Sequence, residues 1–140
     1  MSCELCEQMG EVIVQHQDWR VVQVNDAHYP GFCRVIWNHH AKEMTDLTAT
    51  QREQLMHVVW DVEAAIREVM QPHKINVASL GNVVPHLHWH VIPRFTDDLH
   101  FPNPIWGQIE RSVNGAIGER QALVATLRNV IREKLGGSRQ

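Results

Sequence analysis

Short apolar stretches, rich in Val, Ile and Trp, alternate with polar segments through the first 40 residues of the chain. They cover residues 11–14, 19–24 and 32–37. This composition and length are typical of β-strands, and the short polar segments between them favour hairpin connections. Tyr29-Pro30-Gly31 predicts a turn, because proline fixes φ at one corner and glycine tolerates a positive φ at the next.

The spacing of apolar residues then changes to three and four positions, which predicts an amphipathic helix. Its apolar positions are Leu55, Val58, Val59, Val62, Ile66 and Val69. Thr48 and Gln51 are spaced to form a capping box at its start. Pro72 disfavours helical geometry at the residue before it, so we expect the helix to end near Met70.

Two further strands are expected over residues 74–80 and 86–93, interrupted by Gly81-Asn82. Residues 96–118 show no clear period and are interpreted as a loop that crosses the surface. A last amphipathic helix is expected over residues 123–135, ended by Gly136-Gly137. This order predicts an α+β fold in which an antiparallel five-stranded sheet packs with one long helix plus a C-terminal helix.

The composition describes one ordinary globular domain. The chain has 140 residues, of which 44% are hydrophobic and 21% charged, and its net charge is -3. This charge provides no bulk attraction for nucleic acid or anionic lipid, so we expect neither a nucleic-acid nor a membrane partner. The absence of an apolar leader and the three cysteines, two of them three positions apart, favour a cytoplasmic protein.

His86, His88 and His90 alternate with large apolar residues. Successive side chains of a strand point to opposite faces, so the three imidazoles would share one face while the apolar residues enter the core. A solvated strand that carries these histidines by chance is the structural alternative. Two chemical interpretations remain open: a metal site, or a histidine nucleophile that attacks phosphorus with help from its neighbours.

Residues 86–92 match every position of His-φ-His-φ-His-φ-φ, with φ apolar, and so resemble the signature of the histidine-triad family. The Gly-x-x-x-Val-Ile run of residues 31–36 and the Gly81-Asn82 turn are also similar to that family. The resemblance covers about residues 3–95. We therefore expect a single histidine-triad domain over 1–140, with residues from about 96 to 140 as a C-terminal extension.

The resemblance implies a nucleotide hydrolase that acts at the α-phosphate through a covalent nucleotidyl-histidine intermediate. Diadenosine polyphosphates or related phosphoanhydrides are the implied substrates, with phosphoramidate hydrolysis or nucleotidyl transfer as alternatives. His88 would be the nucleophile, with its other ring nitrogen held by a backbone carbonyl. His90 would contact phosphate oxygens and help protonate the leaving group, and His86 completes the catalytic set. Similar uridylyltransferases carry Gln at the third position, so His90 favours hydrolysis over transfer.

The same resemblance suggests further contacts. Gly81 and Asn82 would hydrogen-bond the phosphate or the leaving group, and Asn25 or Asp26 would bind ribose hydroxyls. Many relatives have His after the glycine where this chain has Phe32, so a supporting hydrogen bond to the triad is expected to be missing. The alternative to an enzyme is a non-enzymatic protein that binds a nucleotide or a metal ion.

Cys3 and Cys6 form a Cys-x-x-Cys pair that could bind zinc, although two reduced thiols or a redox pair are alternatives. By resemblance, His40 and His86 would complete a structural zinc site, with His39 as the alternative to His40. Four protein ligands would leave no position for substrate. No organic cofactor is expected.

The family resemblance also implies a homodimer that pairs through the helix and a sheet edge. A nucleotide is the expected small-molecule partner. We interpret Trp37, Trp60 and Trp106 as core or interface anchors rather than base-stacking residues. Arg94 would either reach a distal phosphate or form a surface ion pair.

Overall fold

A computed structural model describes residues 10–136 of the chain. Five strands form one antiparallel sheet in the order β1-β2-β3-β5-β4. The strands are β1 Glu11–Gln15, β2 Trp19–Gln23, β3 Cys33–Trp37, β4 Lys74–Ala78 and β5 His88–Arg94. The α-helices are α1 Ala49–Met70, α2 Ile117–Gln121 and α3 Val124–Lys134, and a short 3₁₀-helix spans Met44–Asp46. The predicted α+β class is confirmed, and none of the helices described is long and apolar enough to cross a membrane.

The ends of α1 are set by local chemistry. The Gln51 backbone amide donates to Thr48 Oγ1, and the Thr48 amide donates to Gln51 Oε1, which is the predicted capping box. At the other end Gln71 takes a left-handed conformation with φ 50°, and Pro72 follows it. The chain therefore leaves the helix where the sequence predicts.

The main hydrophobic core lies between one face of the sheet and α1. It contains Val21, Val35 and Val91 of the central strands, and Leu127 and Ile131 of α3 also belong to it. The C-terminal helix is therefore part of the same core as the segment that resembles the histidine-triad family. Within residues 10–136, α3 packs against the sheet and α1 rather than forming a separate tail.

The connection from β2 to β3 turns sharply at residues 29–31. The Phe32 amide donates to Tyr29 O, and Gly31 has a φ of 90°. A Cβ at Gly31 would also collide with the sulfur of Met70 on α1. Glycine is therefore favoured here by the backbone conformation, and a larger residue would also have to displace the Met70 side chain.

The other face of the sheet carries polar chemistry. Because Val91 enters the α1 core and side chains alternate along a strand, His88, His90 and Arg94 lie on the opposite face. Strand register pairs His90 with Arg34 of β3 and with Ala78 of β4, so these residues share that face. The segment that follows β5 crosses this face.

The start of the strand that carries the triad differs from the prediction. The strand β5 begins at His88, not at residue 86, because the His86 amide donates to Val84 O in a tight local turn. The strand β4 ends at Ala78, and Ser79 Oγ donates to His88 O instead of continuing the ladder. His86 is therefore positioned by the turn that precedes β5.

Candidate functional site

His88 is held by its own backbone neighbour. Its Nδ1 lies 2.6 Å from His86 O. A carbonyl only accepts, so Nδ1 carries the proton and Nε2 carries the lone pair. The side chain is buried, and burial is the largest effect that lowers its pKa, with a smaller contribution from Arg34. His88 therefore has the tautomer of a neutral nitrogen nucleophile.

His90 lies against His88, with ring centroids 4.8 Å apart. Its Nδ1 is buried and has no hydrogen-bond partner among residues 10–136. Phe32 lies 5.7 Å from the His90 ring, at the position where many relatives have His. Burial, followed by His88 and Arg34, lowers the pKa of His90 to about 4. His90 is therefore neutral at physiological pH.

His86 is fixed by a different carbonyl. Its Nε2 lies 2.6 Å from Trp37 O, so Nε2 is protonated and Nδ1 carries the lone pair. Its pKa is lowered, mainly by burial. The His40 ring lies 5.2 Å from the His86 ring, at an angle of 73°. Two of the four predicted zinc ligands are thus neighbours.

The structure separates His39 from that pair. His39 Nε2 lies 2.9 Å from Asp18 Oδ1, and its side chain is 60% exposed. It is the His40 ring, and not that of His39, that contacts His86. Cys3 and Cys6 lie outside the described residues, and no group of three or more His, Cys, Asp or Glu suited to a metal occurs within residues 10–136.

Gly81 and Asn82 lie in the connection between β4 and β5. Gly81 has a φ of 74°, which glycine adopts readily. Asn82 is exposed, and no contact found in the described part of the chain joins it to the triad. The turn is therefore placed next to the start of the triad segment, but the expected phosphate contacts remain a prediction.

Asn25 and Asp26 line one cavity of about 240 Å³, together with Gly31 and Gln121. Asp26 Oδ1 accepts a hydrogen bond from the His28 amide, which fixes its side chain at the turn. None of the three triad histidines is among the described residues that line this cavity. Asn25 and Asp26, the two proposed ribose ligands, thus line the same cavity, and the triad histidines do not line it.

The structure narrows one interpretation from the sequence and contradicts another. Trp106 is 51% exposed, so it is not a core residue, and a role as an interface anchor stays a prediction; its ring lies 5.0 Å from that of His90. Arg94 is almost fully buried and donates to both carboxylate oxygens of Asp98, so it neither forms a surface ion pair nor extends towards a distal phosphate. The irregular sequence after β5 contains no periodic signal from which the position of Trp106, or the pairing of Arg94 with Asp98, could be predicted.

Cys33 has the buried, structural position expected for it. Its thiol is fully buried and donates to Gly31 O. Burial raises its pKa to about 12. A thiol in this state is a poor nucleophile and a poor metal ligand.

Comparison with known proteins decides the family. The HIT domain family matches residues 6–97, which is more than half of the chain. The chain belongs to the HIT domain family. Its fold is also similar to a histidine triad protein from Bradyrhizobium japonicum, with a TM-score of 0.71 and 34% identity over 86% of this chain and 89% of that one. A HIT protein from Sinorhizobium meliloti 1021 gives a TM-score of 0.70 and 27% identity, with 89% of each chain covered.

A curated relative carries a name that describes an activity. The chain is 32% identical over 84 residues to an AP-4-A phosphorylase of Mycobacterium tuberculosis (strain CDC 1551 / Oshkosh). The match covers 56% of this chain and 43% of that protein, so the chain spans less than half the length of the curated relative.

Proposed function

We propose that the protein is a nucleotide hydrolase that acts at the α-phosphate through a covalent intermediate on His88. The observation that carries the proposal is the hydrogen bond from His88 Nδ1 to its neighbouring carbonyl, because it leaves Nε2 with a lone pair at neutral pH. Membership of the HIT domain family supports nucleotide chemistry at this site. Dinucleoside polyphosphates, including diadenosine tetraphosphate, are the proposed substrates.

The reaction proceeds in two steps. The lone pair of His88 Nε2 forms a bond to the α-phosphorus, and the bond from phosphorus to the leaving-group oxygen breaks with its electron pair. Water then attacks phosphorus and gives up a proton to the solvent, and the P–N bond breaks with its electron pair returning to Nε2, which releases a nucleoside monophosphate. Arg34 lies on the same sheet face as the His88 ring. Its positive charge would stabilise the negative charge that develops on the phosphate oxygens.

The electrostatics of His90 favour an anhydride over a phosphoramidate. In the substrate-free protein the pKa of His90 is about 4, so at neutral pH its ring is a neutral hydrogen-bond donor and not a charged acid. A polyphosphate leaves as a stable anion and needs little proton transfer, whereas an amine must be protonated to leave. We therefore propose phosphoanhydrides as the main substrate class.

Phosphorolysis is the second candidate, and the name of the mycobacterial relative favours it. The two reactions share the first step and differ in the acceptor. Water gives a nucleoside monophosphate, whereas inorganic phosphate gives a nucleoside diphosphate. Product analysis with and without inorganic phosphate distinguishes them, and monophosphate as the main product in the presence of phosphate supports hydrolysis.

Trapping the intermediate tests the proposal. The protein is mixed with a dinucleoside tetraphosphate labelled at the α-phosphate and quenched in alkali, because acid destroys a phosphoramidate. We expect label on the wild-type protein and none on His88→Ala, with turnover of that variant lower by about 10³-fold or more.

His57→Ala is the matched control, since His57 is an exposed histidine on α1 whose ring contacts Trp60. It should label and turn over like the wild type. Turnover by His88→Ala at the wild-type rate would exclude covalent catalysis. Nucleotide binding without turnover or label in the wild type would favour the non-enzymatic alternative.

We also propose a structural zinc site formed by Cys3, Cys6, His40 and His86. Of the two histidine ligands, His86 has the state that zinc binding needs. Its Nε2 donates to a carbonyl, which leaves Nδ1 as the nitrogen with a lone pair. Protein purified without chelator should contain about one zinc ion per chain, and His40→Ala should lose it with a lower thermal midpoint. Protein that contains no zinc would contradict this proposal.

We propose a homodimer that forms through α1 and a sheet edge. The edge strands are β1 and β4, and the β1 edge is contacted by α3, since Arg132 Nε donates to Ile13 O. Trp60 of α1 is 53% exposed. The β4 edge and the exposed side of α1 are therefore the surfaces on which a second copy is expected to pack.

A further inference from the structure

His90 differs from the other two histidines of the triad in the way its ring is held. Nε2 of His86 and Nδ1 of His88 each lie 2.6 Å from a backbone carbonyl. Nδ1 of His90 is buried and has no hydrogen-bond partner within residues 10–136. Three rings pack against His90, those of Phe32, His88 and Trp106, with centroids 5.7, 4.8 and 5.0 Å from its own. Aromatic packing therefore surrounds the ring where its two neighbours have a carbonyl.

Phe32 is a fixed part of this packing. It directly precedes β3, where its amide donates to Tyr29 O and its carbonyl accepts from the Val24 amide. Its side chain is buried in a small apolar cluster that also contains Tyr29 and Ile92. A phenyl ring carries neither an N–H or O–H donor nor a lone-pair acceptor. Phe32 therefore fills the space beside His90 without offering Nδ1 a hydrogen-bond partner.

The missing acceptor determines where the neutral His90 ring carries its proton. A buried N–H without an acceptor loses its bonds to water and gains none, so such groups are rare. We therefore expect Nδ1 to carry the lone pair and Nε2 to carry the proton, which is the reverse of His88. An imidazolium has an N–H on both nitrogens and would bury one of them without an acceptor. Burial accordingly lowers the pKa of His90 to about 4.

Phe32 also contacts a cation next to the triad. The Cζ atom of Arg34 lies 5.9 Å from the centroid of the Phe32 ring, and Arg34 is the register partner of His90. A guanidinium is attracted to the negative face of an aromatic ring. A positive charge held there disfavours a second positive charge on His90. Phe32 thus lies against both the neutral histidine and the cation that helps to keep it neutral.

We propose that Phe32 is a positioning residue that determines specificity, because it holds His90 as a neutral Nε2–H donor and so favours leaving groups that depart as anions. The inference rests on the proposed function, since it assigns the preference for phosphoanhydrides to one residue. A polyphosphate leaves as an anion and needs only a hydrogen bond, whereas an amine must take a full proton to leave. A neutral imidazole does not supply that proton, because losing its single N–H proton would leave an imidazolate anion.

Two variants and two substrates test the assignment. Phe32→His places beside His90 a ring nitrogen that can accept a hydrogen bond, whereas the matched control Phe32→Leu keeps the position apolar. The substrates are a dinucleoside tetraphosphate and a nucleoside phosphoramidate. The ratio of kcat/KM for the phosphoramidate to kcat/KM for the tetraphosphate should rise by about tenfold in Phe32→His, the order expected for one hydrogen bond to a charged group. It should keep the wild-type value in Phe32→Leu.

A spectroscopic measurement on the wild-type protein does not depend on whether the Phe32 variants fold. The ¹⁵N chemical shifts of an imidazole distinguish its two neutral tautomers and the imidazolium. The signals of the two rings are identified by their loss in His90→Asn and in His88→Ala. At neutral pH we expect the proton of His90 on Nε2 and that of His88 on Nδ1.

The outcomes separate this assignment from the proposed function. A His90 proton on Nδ1, or an imidazolium at neutral pH, would overturn the assignment. An equal loss with both substrates in both variants would show that Phe32 only fills space, and an equal rise of the ratio in Phe32→Leu would show that the acceptor is not the cause. These results overturn the assignment and leave the proposed function intact, whereas wild-type protein that turns over neither substrate would overturn both.

Discussion

His90 is a buried histidine whose neutral form is favoured by its surroundings. Burial, the neighbouring His88 and the Arg34 guanidinium all lower its pKa, to about 4. The unfolded chain binds a proton at this residue near the ordinary value of 6.5, whereas the folded protein binds it only near 4. Between these values the unfolded state holds more protons, so the free energy of unfolding falls as the pH falls.

The first prediction concerns this dependence. Between about pH 7 and about pH 5, His90 should account for a loss of about 2 kcal/mol in the free energy of unfolding. His90→Asn, which cannot be protonated, should lose less stability than the wild type by about that amount over the same range. Urea unfolding at both pH values measures the difference. Parallel pH dependence in the two proteins would contradict the assignment.

At the scale of elements, Asp98 organises the segment that follows β5. Burial by itself would raise its pKa, but hydrogen bonds from the Arg94 side chain and from the Phe95 and Phe101 amides lower it. The His100 amide and the Tyr29 hydroxyl also donate to the same carboxylate. One carboxylate thus ties the crossing segment to β5 and to the turn before β3.

The second prediction compares two adjacent aspartates. Asp98→Ala leaves the buried Arg94 charge without its partner and should lower the free energy of unfolding by about 3–5 kcal/mol. Asp97→Ala is the control, because its ion pair with Arg120 is half exposed on the aspartate side and should contribute less than about 1 kcal/mol. Urea unfolding of both variants measures the contrast. Equal losses would show that burial of the pair does not determine its contribution.

The contrast between α1 and this segment shows what the sequence predicts about the fold. The helix is determined by local signals: apolar spacing, the Thr48 cap and Pro72. The path of residues 96–116 is determined by Asp98 and its donors, some of them distant in sequence. A local pattern contains no information about such contacts, so these residues could be predicted only as irregular.

The same distinction applies to the candidate site. The alternation of His88 and His90 predicts their shared face, because the period of a strand determines it. The contact between Trp106 and His90 depends on the crossing segment and was not predictable from spacing. The contact of His40 rather than His39 with His86 also depends on the three-dimensional path of the chain after β3.

At the scale of the whole molecule, the third prediction is the homodimer. Light scattering at micromolar concentration should give a mass of about twice the 16.2 kDa of one chain. Trp60→Glu, on the exposed side of α1, should shift the mass towards that of one chain, whereas Val113→Glu, at an exposed site in the crossing segment, should not. A wild-type mass equal to that of one chain would contradict the proposal.

The deep burial of Cys33 removes one of the three cysteines from thiol chemistry in the native protein. The chain has three cysteines, and a thiol with a pKa of about 12 inside the core does not react at a useful rate with alkylating reagents. Any rapid alkylation of the native protein must therefore occur at Cys3 or Cys6. The rate at which a thiol dye labels the native protein, with and without a chelator, therefore reports whether a bound ion protects that pair.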